Sequence, residues 1–119
     1  MNLYAPKEFW ELSEEERSRG CGPGQGVGDK LVADHILGLR IGHACAIHDY
    51  MWALGETIED FDRANRVFIN NIYRLIQGGS RWLRFPRRII ANFYYEAVQG
   101  PIGALIYWYD KNKPENMGN

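Results

Sequence analysis

Apolar residues recur along this chain at intervals of three and four, and glycine or proline breaks the pattern at regular points, which predicts helices joined by tight connections. From about Leu31 to Leu54 the apolar set is Leu31, Ile36, Ile41, Ala44, Ile47 and Met51. Gly38 and Gly42 are weak points in that helix, where it could begin late. Gly55 ends it. Thr57 and Asp60 then match a capping box, and Ile58, Phe61, Ala64, Phe68, Ile72 and Leu75 trace one face of a second helix up to Gly78 and Gly79. Pro86 suits the first position of a third helix, whose apolar set Ile89, Ile90, Phe93, Tyr94, Ala97 and Val98 ends at Gly100. Of these, Phe93, Tyr94 and Val98 are expected in the core. Pro101 restarts the pattern for a short last helix, Ile102 to about Tyr109.

The flanks are polar or glycine-rich. Ser13 with Glu16 matches another capping box, so residues 1–19 read as an N-terminal helical segment that runs out by Gly20. Residues 20–29 form a Gly-rich loop, because CGPGQGVGD places four Gly and one Pro in nine positions. The tail 110–119, DKNKPENMGN, reads as flexible. No alternating pattern is long enough for a strand. The expectation is one all-α domain over residues 1–119, with two or three long packed helices, the Gly-rich loop and short flanking helices.

Composition narrows the function classes. The 14 basic and 15 acidic side chains leave a formal charge of -1, so no net field favours nucleic acid. No apolar run resembles a cleaved leader or a transmembrane segment. CGPGQG lacks the Lys-Ser/Thr of a phosphate-binding loop. Arg81, Arg84, Arg87 and Arg88 cluster with Trp82 and Phe85 between them. Such a cluster is ordinarily solvated, and contact with anionic head groups is the alternative.

The chemistry concentrates in ACAIHDYMW, Ala44 to Trp52. On a helix Cys45 shares a face with both His48 and Asp49, while those two point about 100° apart, so each can serve a different partner. An imidazole with a pKa near 6.5 suits general-base work, and a carboxylate is a hard oxygen ligand. His35 and His43 lack the i, i+4 spacing of a helical metal site and read as structural. Cys21 and Cys45, 24 positions apart with no CxxC spacing, are either one disulfide or two thiols.

Cys-Gly-x-Gly at Cys21–Gly24, followed by Cys-x-x-His-Asp at Cys45–Asp49, resembles the calcium loop and catalytic helix of the secreted phospholipase A2 superfamily, especially its small bacterial members. The resemblance covers about Gly20 to Phe68. It implies a Cys21–Cys45 disulfide, and Ca²⁺ held by the backbone oxygens of Gly20, Gly22 and Gly24 with the Asp49 carboxylate. It also implies His48 as the base that activates water against the sn-2 ester of a glycerophospholipid. A phospholipid or membrane surface would then be a transient partner, and the disulfide would suit an oxidising, extracellular or virion setting.

Two supporting positions depart from the family pattern. Trp52 stands where a Tyr helps hold a second carboxylate, and Asn65, in Asn65-Arg66-Val67-Phe68, stands where that carboxylate orients the His. Asp62, one turn earlier, is the expected substitute. HDYMW followed by ANRVF also resembles a phage-associated family of unknown function with an HDYLY-like motif. The alternative that follows is a catalytically degenerate phage-type structural or interaction protein on the same scaffold.

Overall fold

The computed structural model describes residues 3–17 and 35–109. Among them the chain is helical apart from one small hairpin: α1 (Lys7–Trp10), α2 (Glu14–Arg17), β1 (His35–Ile36), β2 (Leu39–Arg40), α3 (Gly42–Leu54), α4 (Ile58–Gln77), a 3₁₀ turn (Arg81–Leu83) leading into α5 (Arg84–Gln99), and α6 (Pro101–Tyr109). The Gly-rich loop of residues 20–29 and the tail 110–119 lie outside the described residues. The domain is all-α, as its periodicity predicts.

α4 is the central helix, packed by α3 on one side and α5 on the other. Its start is fixed by a complete capping box: the Asp60 amide donates to Thr57 Oγ1 at 3.1 Å, and the Thr57 amide donates back to Asp60 Oδ2 at 3.2 Å. Phe61, Ala64, Phe68, Ile72 and Ile76 are its buried apolar stripe. Ile58, at the first turn, stays exposed. Phe68, Ile72 and Ile76 join Ile36, Ile41, Ala44, Cys45, Ala91 and Val98 in the main core. At about 1.5–3 kcal/mol for each large side chain removed from water, this stripe is what fixes α4 between its neighbours.

A smaller cluster of Phe9, Ala46 and Ile47 holds α1 against α3. The chain before α1 is pinned by buried Asn71 of α4, whose Oδ1 accepts from the Tyr4 amide at 2.6 Å while its Nδ2 donates to the Tyr4 carbonyl at 2.8 Å. Both backbone groups of Tyr4 are thus satisfied by a single side chain. The Arg74 guanidinium lies 3.9 Å from the Tyr4 ring centroid and also donates to its hydroxyl.

Three expectations are corrected. The helix that was expected from about Leu31 begins at Gly42, because residues 35–40 form a hairpin in which His35 pairs with Arg40 and Ile36 with Leu39. The two turn residues, Leu37 and Gly38, have φ of 48° and 84°, the left-handed pair that a two-residue hairpin turn needs and a helix cannot contain. The third helix begins at Arg84, so Pro86 is its third residue, still within the first turn, where no backbone donor is needed. Phe93 is 67% exposed, not core. It sits five positions from Val98, about 140° around the helix, and the buried side is Arg87, Ala91 and Val98.

Arg87 leaves the surface cluster altogether. It is buried, with Nε donating to the Ile36 carbonyl at 3.2 Å and Nη2 to the Leu37 carbonyl at 2.8 Å, so it clamps the hairpin to α5. At the other end of α5, Gly103 lies so close to the Val98 backbone that a Cβ there would overlap the Val98 carbonyl group. That contact forms the sharp corner between α5 and α6. The corner brings Tyr107 back to the start of α4, where its hydroxyl donates to the Thr57 carbonyl at 2.9 Å. Among the described residues no helix is long and apolar enough to cross a membrane.

Candidate functional site

His48 is placed by the buried run Ala44–Ile47 that precedes it on α3, and it is itself only 5% exposed. Its ring lies between Phe68 of α4 and Trp52 one turn further along α3, each with ring centroids 4.5 Å away. His48 Nε2 is 2.6 Å from Asn65 Oδ1. Trp52 Nε1 donates to the same oxygen at 2.9 Å. Asn65 Nδ2 donates to the Val98 carbonyl at 3.3 Å and to Gln99 Oε1 at 2.7 Å.

These partners fix every proton in the cluster. Indole N–H can only donate and a backbone carbonyl can only accept, so the Asn65 amide can stand one way round only. Its Oδ1 is therefore an acceptor, and His48 Nε2 must carry the hydrogen that points at it. The remaining ring nitrogen, Nδ1, is the unprotonated one, with a lone pair. Asn65 is 0% exposed and uses both lone pairs and both amide hydrogens, which is the condition for burying an amide without a large penalty.

The chain of donors continues outward. Because Gln99 Oε1 accepts from Asn65, its amide end faces away, and Gln99 Nε2 donates to Asp62 Oδ1 at 3.0 Å. The other Asp62 oxygen pairs with Arg66 Nε at 2.9 Å. Asp62 is thus part of the assembly, but the expectation that it substitutes directly for the orienting carboxylate is corrected: two amides separate it from His48, and Asn65 takes the position beside the ring.

The electrostatic result follows from burial and from the neutral partner. Desolvation disfavours imidazolium, and the hydrogen bond to Asn65 offsets this only in part, so the His48 pKa is pushed down to about 4. At pH 7 the ring is neutral, and the tautomer with hydrogen on Nε2 is the resting form.

The other predicted positions divide. Asp49 follows His48 on α3 and is half-buried. Cys45 is buried and disulfide-bonded. Gly20, Gly22, Gly24 and Cys21 lie outside the described residues. Of the expected calcium ligands only Asp49 lies within the described residues, among which no three His, Cys, Asp or Glu side chains converge as a metal-binding group. Gln99 and the Val98 carbonyl were not legible beforehand. Gln99 is the last residue of α5, and only the α5–α6 corner turns it toward Asn65.

Fold and site together define a small all-α domain in which a buried, neutral histidine is held on one tautomer by an Asn–Gln chain leading to a carboxylate. Comparison with protein-family models, with characterised proteins and with solved structures finds no match.

Proposed function

We propose that the protein is a phospholipase A2-like, calcium-dependent hydrolase acting on the sn-2 ester of glycerophospholipids, with His48 as general base. One observation carries the reading: His48 is locked with hydrogen on Nε2, which leaves Nδ1 with the lone pair that a general base requires. In the proposed reaction Nδ1 takes a proton from a water molecule as its oxygen attacks the ester carbonyl carbon. The same proton is then given to the departing glycerol oxygen, so the products are a fatty acid and a lysophospholipid. Asn65 and Trp52 keep the ring from turning during both transfers.

The donor chemistry suits calcium. Asp49 offers a carboxylate one residue from the base, and the backbone oxygens of Gly20, Gly22 and Gly24 would complete an all-oxygen set of the kind this ion prefers. When bound, calcium would polarise the ester carbonyl and stabilise the oxyanion.

The low basicity of His48 favours a second reading, a catalytically degenerate protein on the same scaffold. A carboxylate beside Nε2 would stabilise imidazolium strongly, and the neutral Asn65 does so only in part, so a base with a pKa near 4 is poorly matched to neutral pH. Fatty-acid release from mixed phosphatidylcholine and phosphatidylglycerol vesicles with millimolar calcium separates the two. The hydrolase reading expects release that falls on the order of 10²-fold or more in His48→Gln. Wild-type protein that binds calcium and releases nothing would establish the degenerate form, and equal release by His48→Gln would remove His48 as the base.

A further inference from the structure

α5 is apolar on two opposite sides. Its buried side is Arg87, Ala91 and Val98, while Phe85, Ile89 and Phe93 recur at i, i+4, i+8 about half a turn away and are 73%, 43% and 67% exposed. Trp82, in the 3₁₀ turn just before the helix, is 83% exposed and extends the row at helical spacing. A surface helix normally carries polar residues opposite its packed face, so an exposed aromatic row of this length calls for a partner.

Charge identifies its chemistry. No acidic residue occurs from Gln77 to Tyr95, and Arg81, Arg84 and Arg88 flank the row at the beginning of α5. The positive end of a helix dipole disfavours cations, so stability alone would put Asp or Glu there. Arg81 and Arg88 are exposed and Arg84 is half-buried, its Nη2 donating to the Gln77 carbonyl at 2.9 Å. A second copy of the chain fits less well. At about 200 Å² per large aromatic side chain the row offers roughly 500 Å², short of the ~800 Å² per partner in a standard stable interface. A bilayer surface needs no such area, since shallow aromatic insertion and attraction of Arg to anionic head groups act together.

We propose that the Trp82–Phe85–Ile89–Phe93 row with Arg81, Arg84 and Arg88 is a docking surface for anionic phospholipid bilayers. It would hold the domain on the lipid that the proposed hydrolysis consumes, yet docking reads out without turnover, so either proposal can fail alone. The test is co-sedimentation of the full chain, as the His48→Gln variant to silence hydrolysis, with vesicles of pure phosphatidylcholine or of equimolar phosphatidylcholine and phosphatidylglycerol. Binding is expected on the anionic vesicles and to weaken steeply with salt. Phe85→Gln with Phe93→Gln should weaken it at least about tenfold, and Arg81→Gln with Arg88→Gln by more than about tenfold on anionic vesicles only. All four positions are exposed, and circular dichroism checks that each variant folds. Equal binding to both vesicle types, or binding that survives both double variants, would overturn the proposal. A concentration-dependent dimer that Phe93→Gln abolishes would overturn it too, by assigning the row to a second copy.

Discussion

His48 makes acid stability a measurable property of one side chain. In the unfolded chain its pKa is the ordinary 6.5, and in the fold burial lowers it to about 4. Between these values the unfolded state binds a proton that the native state refuses, so stability is full above pH 6.5, falls as the pH drops from 6.5 to about 4, and levels off below. At pH 5 the linkage relation gives a loss of about 2 kcal/mol relative to pH 7.5, a large fraction of a small domain's stability. Urea unfolding of wild type and His48→Gln at both pH values isolates the effect. Gln does not titrate, and its amide can still donate to Asn65 Oδ1. Every other titrating group contributes equally to both proteins, so the wild type should lose about 2 kcal/mol more than the variant. Identical losses would refute the reasoning, because they would mean that His48 accepts a proton as readily inside the fold as outside it.

Other outcomes follow from single positions. Leu37→Asn should stabilise the protein by about 0.5–1 kcal/mol in the same unfolding assay, since Leu37 is exposed with φ 48° and Asn-Gly suits this turn. Asn65→Asp should raise the His48 pKa, as followed by NMR titration, by placing a charge beside Nε2. The same change should cost about 2–3 kcal/mol at neutral pH, because the Val98 carbonyl and Gln99 Oε1 would lose their donor. Gly103→Ala should destabilise by about 2 kcal/mol or more through overlap with the Val98 backbone, with loss of the Tyr107–Thr57 bond visible as a change in near-ultraviolet circular dichroism.

The sequence carried the helices well where local chemistry sets them. Thr57 and Asp60 announce the start of α4 because a capping box is complete within four residues, and Phe61, Ala64, Phe68 and Ile72 announce its buried face because periodicity is local too, although the stripe ends on Ile76 and the expected Leu75 is only half-buried. The hairpin was hidden because Leu-Gly is an uncommon pair for such a turn, and its support comes from Arg87, about fifty positions away. The site was half legible. His48, Asn65 and Trp52 meet as the family resemblance implied, whereas Gln99 joins through a corner that depends on Gly103 packing against Val98. Phe93 was misplaced for a related reason: periodicity finds apolar rows but does not say which of two rows on one helix faces the core.

The Asn65–Gln99 chain has a kinetic consequence. A carboxylate or a second imidazole could accept the His48 Nε2 hydrogen and hand it on, but a neutral amide has no accessible form that does so. The link from Asp62 to His48 therefore transmits orientation and polarisation while insulating against proton flow. The hydrogen on Nε2 is trapped between Asn65, Trp52 and Phe68, and it can leave only when α3 and α4 part. Its exchange with solvent should accordingly be slow enough to give a discrete downfield NMR signal, an internal clock for opening of this core.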